Sequence, residues 1–281
     1  MRKFISLLCL LLIVVGFEQP KPTIPTKIEK INLKLLDEEL AITFFNLSEG
    51  EATLIQNNNG EAVLVNTGNQ FSQNELIKFL KLYGVSTINK IIITKMAPDY
   101  AGNVDFLCKL FGVKNIIVPH TETNQNISYP ARLNYWEEGR IDELFPGVTT
   151  KVLQVIDSEN AMNVSMKYGK HRFLFMSVAS KSLEDELIKK TELKDVNILK
   201  VAEFASNNGT SQKLLEAVDP QVAIIFNKTN LYPSADVLER LQGTWIDIYY
   251  TRQFGNITIK SNKERYEVIT ITVESLKEMG G

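Results

Sequence analysis

The sequence predicts an α/β chain folded as a sandwich of two sheets with helices on the outside. Three observations carry that expectation. Strand-like and helix-like periodicities alternate from about residue 42 to residue 273. Both halves of the chain carry both kinds of segment, and a sheet with two apolar faces needs a second sheet on one side and helices on the other. The chain has 281 residues, 44% hydrophobic and 23% charged, which suffices for a sizeable core.

The elements follow in order. Residues 42–47 and 51–56 read as strands either side of a turn. Asn57, Asn58, Asn59 and Gly60 make a hairpin turn, because Asn and Gly accept positive φ, and 61–65 is the return strand. Residues 72–83 set Leu76, Ile77, Phe79, Leu80 and Tyr83 on one helical face, ended at Gly84. Residues 90–94 are apolar and bounded by polar ones, the pattern of a strand buried on both faces. A helix over 104–111 and a strand over 114–118 come next, and 121–134 is polar and aperiodic, which predicts a surface loop. In the second half, 150–155, 163–168 and 171–176 read as strands, the last two turned at Gly169. A helix over 182–190, a strand over 196–201, a helix over 211–218, a strand over 222–226 and a helix over 235–241 follow. Strands over 246–250, 256–260 and 266–273 close the chain.

A formal net charge of −2 supplies no overall attraction for nucleic acid. Any phosphate-binding patch has to be local, with Lys95, Lys200 and Lys228 as its candidates. At the N-terminus, Arg2 and Lys3 precede an uncharged run from Phe4 to Phe17. That run is shorter than the ~20 residues a spanning helix needs and fits the apolar core of a signal peptide. Residues 1–17 are therefore read as a signal peptide or, uncleaved, a membrane anchor. Residues 18–40, with Pro20, Pro22 and Pro25, read as a linker, and 41–281 as the domain. The expected location is extracellular or on the outer face of the cytoplasmic membrane. Cys108 lies on a helical pattern and is expected to be a small buried hydrophobe.

Residues 91–103, I-I-I-T-K-M-A-P-D-Y-A-G-N, carry the frame of a metal loop: a buried strand ending in Thr94, then Asp99, then a turn at Gly102. The segment resembles the metallo-β-lactamase-fold superfamily, where such a strand leads into His-x-His-x-Asp-His. Further segments are similar to the C-terminal domain of the ComEC competence family. Residues 42–56, I-T-F-F-N-L-S-E-G-E-A-T-L-I-Q, resemble its opening V-T-F-L-D-V-G-Q-G-D-A-I-L-I-Q. Asn66-Thr67-Gly68 resembles its D-T-G turn, residues 173–178 its F-L-L-T-G-D, residues 199–206 its L-K-V-x-H-H-G-S, and Tyr232-Pro233 its H-P. The resemblance implies a four-layer αββα sandwich over nearly the whole domain.

The family's hydrolytic site needs imidazoles and carboxylates to hold zinc and acidify its water. Here the histidine positions read Lys95, Ala97, Tyr100, Glu203, Phe204 and Tyr232, and the aspartate positions Asn46, Glu51, Asn66 and Val178. Asp99 alone matches the family. The expectation is therefore no metal, no cofactor and no catalytic residue. Lys95 is expected to pair with Asp99 in place of an ion, and Asp99 to cap the helix after Gly102. The competing reading is an oxygen-rich cation site made of Glu51, Asp99 and Glu203. Tyr100, Phe204 and Tyr232 are expected to fill the cavity or to line an apolar pocket. His120 and His171 are expected to be solvated.

The function this predicts is an exported, non-hydrolytic binding or scaffold module. Its cleft around Lys95, Asp99, Tyr100, Glu203, Phe204 and Tyr232 would take a protein, peptide or small ligand. A metal-dependent phosphodiesterase or nuclease, or a competence-related DNA-binding protein, is the alternative.

Overall fold

The computed structural model describes residues 30–123 and 128–272. The chain opens with strands β1 (Leu40–Phe44), β2 (Thr53–Asn57) and β3 (Ala62–Val65), then helix α1 (Gln73–Leu82) and strand β4 (Lys90–Ile92). The short helix α2 (Pro98–Ala101), helix α3 (Val104–Phe111), and strands β5 (Asn115–Pro119) and β6 (Arg132–Trp136) complete the first half. The second half runs through β7 (Ile141–Phe145), β8 (Val148–Ile156), β9 (Ala161–Tyr168), β10 (His171–Phe175), α4 (Lys181–Lys190), β11 (Ile198–Lys200), α5 (Gln212–Val218) and β12 (Val222–Ile225). Helix α6 (Ala235–Gln242), β13 (Asp247–Tyr250), the short α7 (Thr251–Phe254), β14 (Asn256–Ser261) and β15 (Tyr266–Ile271) close it.

These strands form two sheets, one ordered β15-β14-β1-β2-β3-β4-β5-β6 and the other β13-β12-β11-β10-β9-β8-β7. The C-terminal hairpin crosses back to the first sheet, where β14 pairs antiparallel with β1 from Leu40↔Ser261 to Phe44↔Ile257. Alternate residues of each sheet meet in a shared core that includes Phe44, Ile55, Val164, Phe175, Ile224 and Phe226. The opposite residues pack under helices: Leu54, Leu64 and Ile91 with Leu76 and Leu80 on one side, Leu174, Leu199 and Ala223 with Leu187, Leu214 and Val237 on the other. The predicted two-sheet sandwich with outer helices is present.

The predicted loop over 121–134 runs into β6, which pairs parallel with β5 from Asn115↔Arg132 onward. As an edge strand it is mostly half-exposed, so it carries neither alternation nor an apolar run. Strand β7 has no counterpart in the sequence reading. It forms the other sheet's edge and slips register against β8 between Glu143 and Phe145.

His171 is not solvated. It opens β10, is buried, and meets the Tyr266 ring edge-on at 5.3 Å. The β14–β15 turn covers it: Lys170 N–H donates to the Lys263 carbonyl at 2.8 Å, and a Cβ at Gly169 would collide with Lys263 backbone. His120 is exposed, as expected, and Cys108 is buried.

Residues 1–29, with the predicted export segment, lie outside the described residues. The described end of the predicted linker lies against the domain, with Ile31 buried and its N–H donating to the Leu82 carbonyl at 2.8 Å. Among the described residues no helix is long and apolar enough to cross a membrane.

Candidate functional site

The positions singled out by sequence gather at one end of the sandwich, beyond the C-terminal ends of β1, β3 and β4 in one sheet and β10, β11 and β12 in the other. The backbone there is drawn tight. Gly50 sits where a Cβ would lie 2.4 Å from both the Asn69 nitrogen and the Asp99 oxygen. Glu51 N–H donates to the Asp99 carbonyl at 2.8 Å. Asn66, at φ 60°, turns the chain after β3, and its amide oxygen accepts from Thr94 N–H at 2.8 Å. The loop after β11 holds three successive left-handed residues, Glu203, Phe204 and Ala205, at φ 44°, 57° and 63°.

Three lysine ammonium groups enter this end, and each meets a carboxylate from the opposite half of the chain. Lys200, from β11, contacts Glu51 at 2.5 Å with both side chains almost wholly removed from solvent. Lys228, after β12, contacts Asp99 at 2.7 Å, and Asn69 Nδ2 donates to the other oxygen of that carboxylate at 2.8 Å. Lys95, after β4, contacts Glu203 at 2.6 Å and Glu159 at 3.0 Å.

The expected Lys95–Asp99 pair is therefore not formed. A backbone bridge between Lys95 and Ala161, with Met96 N–H donating to Asn160, draws Lys95 toward the second sheet, while Lys228 reaches Asp99. Nor does Asp99 cap the following helix. It lies in the first turn of α2, and the residue before α3 is Asn103. Glu51, Asp99 and Glu203 do come close enough for the last two charges to raise the Glu51 pKa. Each is nevertheless occupied by its own lysine, and among the described residues no cluster of three or more His, Cys, Asp or Glu could hold a metal ion.

The aromatic positions divide. Tyr100 and Phe204 are buried, with Lys200 Nζ 5.8 Å from the Tyr100 ring centroid and Lys228 Nζ 5.3 Å from that of Phe204. Both fill the site, and the ammonium groups lie over their ring faces. Tyr232 does not fill it. It is 69% exposed and packs on the Arg252 guanidinium at 4.6 Å, one residue beyond the Lys228–Leu231 bridge. Val178 belongs to a small apolar cluster with Ile156 and Ala161. Ala97 precedes α2 in extended conformation and offers no polar side chain.

Electrostatics follow from this burial. Desolvation raises the Glu51 pKa against the pull of Lys200. Tyr100 is raised well above the ordinary phenol value, first by burial and then by the neighbouring Glu51, Glu203 and Asp99 charges. The Glu51 carboxylate is near enough to act on Tyr100, yet neither Tyr100 Oη nor Glu51 Oε1 completes a hydrogen bond. For Lys95, desolvation is outweighed by hydrogen bonds to Glu203 and Glu159, so its pKa rises and the amine stays charged.

A charged ammonium has no lone pair, so these residues do not fit the zinc chemistry implied by the resemblance. What they do is close the site. Sequence reasoning named Lys95, Asp99 and Glu203 but missed Glu159, and it treated Lys200 and Lys228 only as surface charges. The available signal was arithmetic: lysines stand beside or near the family's ligand positions as often as carboxylates stand on them.

No family model matches this chain. It is 25% identical over 236 residues to recombination protein 2 of Haemophilus influenzae, covering 79% of this chain and 29% of that protein. It is 26% identical over 257 residues to ComE operon protein 3 of Bacillus subtilis, covering 75% of this chain and 33% of that protein. The chain thus spans about a third of the curated relatives it matches. Among solved structures it is similar to the metallo-β-lactamase-fold protein YhfI of Bacillus subtilis (TM-score 0.58, 12% identity, 80% of this chain and 100% of that one). It is also similar to a diphosphatase of the PhnP family (TM-score 0.53, 13% identity, 79% and 98%). A protein of Parabacteroides distasonis, named for metal-dependent hydrolases, gives 0.53 at 12% identity, with 75% and 92% covered. The chain has the metallo-β-lactamase fold.

Proposed function

We propose that this chain is a competence-related, non-hydrolytic member of its fold, acting at the cell envelope as a binding or scaffold module. One observation carries the reading: the site is occupied by three ammonium–carboxylate pairs, Lys200–Glu51, Lys228–Asp99 and Lys95–Glu203. Of the six positions where the resemblance implies imidazoles, two carry side chains without a lone pair, Ala97 and Phe204, a third carries Lys95, held charged by its partners, and a fourth carries Glu203, which is paired with that lysine. The names of the two relatives, a recombination protein and a competence operon protein, support the competence association. The N-terminal apolar run supports the envelope location.

With its centre filled, such a module binds through its rim rather than through a cleft. Phe71, 80% exposed, stands on the turn that holds Asp99 through Asn69. Leu231 and Tyr232 are exposed on the loop that carries Lys228. Together they give the partner an apolar and aromatic contact.

The test is metal content and turnover of the purified protein after incubation with zinc and manganese and exhaustive dialysis. The expected result is no stoichiometric metal and no hydrolysis of phosphodiester substrates. Tightly held metal with turnover overturns the reading in favour of a hydrolase. Salt-dependent retention of single-stranded DNA without turnover moves the function to nucleic-acid binding.

A further inference from the structure

We infer that a basic groove at the C-terminal end of α1 is a docking face for anionic lipid headgroups, which rests on the envelope reading above. The groove has a volume of about 690 Å³; Ile77, Leu82 and Val85 supply its apolar surface and Lys30, Lys78 and Lys81 its charge. No acidic residue lines it. Among the described residues none of these three lysines has a salt-bridge partner, and all three are exposed.

Two features beyond charge select a membrane surface. Lys78 and Lys81 are three residues apart and project from one face of α1. Their ammonium groups therefore point the same way, as contact with a flat anionic layer requires. The second feature is where the chain leaves the domain. The hydrogen bond from Ile31 N–H to the Leu82 carbonyl fixes the strap at the end of α1, and the Lys30 side chain lies along Gly84, its Cδ 3.9 Å from where a glycine Cβ would be. The polypeptide toward the apolar run Phe4 to Phe17 thus departs from the groove itself. Residues 18–29 separate the two, a fully extended reach of about 40 Å. With the run in a bilayer, the groove is the part of the domain tethered nearest to it. Apolar floor and cationic rim match an interface of acyl chain and phosphate, and each lysine near an anionic surface adds about fivefold to partitioning.

The experiment is sedimentation of the full chain with vesicles of neutral phosphatidylcholine, alone and with phosphatidylglycerol added, at low and high salt. The apolar run contributes to both vesicle types; the groove contributes only to the increment from phosphatidylglycerol. The expected increment is about tenfold or more, lost in high salt and lost in the variant K78E/K81E. Reversal of Lys151 and Lys167, exposed lysines of the second sheet, is expected to leave it intact. No increment, or equal loss in both variants, overturns the docking face. Failure to bind either vesicle type instead overturns the envelope reading on which it rests, and circular dichroism of each variant checks the fold.

Discussion

Lys200 and Glu51 form an ion pair at 2.5 Å with 2% and 1% of their side chains exposed. Removing both charges from water costs nearly as much as their attraction returns. Removing only one is different. Lys200→Met strands a buried carboxylate, and the expected loss is about 3–5 kcal/mol, read from urea denaturation at neutral pH. Burial already pushes Glu51 toward its neutral form, so the loss should shrink in acid, where the carboxyl takes a proton. The double variant Lys200→Met/Glu51→Leu is expected to recover most of the stability. A second prediction concerns Ala205, held at φ 63°. A left-handed residue with a Cβ costs roughly 1–2 kcal/mol, of which glycine returns about half after its own entropy loss. Ala205 is also buried in the outer core of the second sheet, so Ala205→Gly forfeits the ~0.8 kcal/mol of a buried methyl, and the expected net change in the thermal midpoint corresponds to less than about 0.5 kcal/mol in either direction. The positions of this site were legible in the sequence because motif spacing marks them one by one. Their pairing was not, because Lys95 and Asp99 are near in sequence while the Lys95–Ala161 bridge that separates them is long-range.

Elements were legible where periodicity reports burial. Helix α3 spans 104–111 as expected, and α1 departs from expectation by one residue at each end. Edge strands β6 and β7 escaped because neither buries a regular face. The β14–β15 hairpin shows a third case, an element whose effect falls on another. By closing over the start of β10 it buries His171, whose Nε2 has no hydrogen-bond partner. Burial lowers the His171 pKa from its ordinary 6.5, assisted by the charge of Lys170 and opposed by Glu264 and by the Arg265 backbone. Below about pH 6.5 the unfolded chain gains a proton there that the folded chain refuses, so stability falls as pH drops through the window beneath that value. Denaturation midpoints measured from about pH 7.5 down to 5.5 should show this decline. In His171→Phe that component should be missing while the remaining pH dependence persists.

At the scale of the molecule, all three pairs cross between the first half of the chain and the second and so tie the two halves together. Metal that binds only the folded state adds stability in proportion to its occupancy. Covalently attached ammonium groups have no occupancy to vary. The thermal midpoint should accordingly stay within about 1 °C of its starting value on adding a chelator or excess zinc, measured by scanning calorimetry. The two-sheet sandwich itself was the most legible feature of all, since it rests on many alternating segments rather than on any single contact. The way β1 is completed has a further consequence, for the timing of synthesis. Its outer partner, β14, begins at Asn256, so the first strand among the described residues waits for a partner made about 200 residues later. Until then β1 exposes an open edge to whatever strand it meets. A nascent chain of this kind cannot finish folding piece by piece, and premature release would favour mispairing between copies over an early, partly active product.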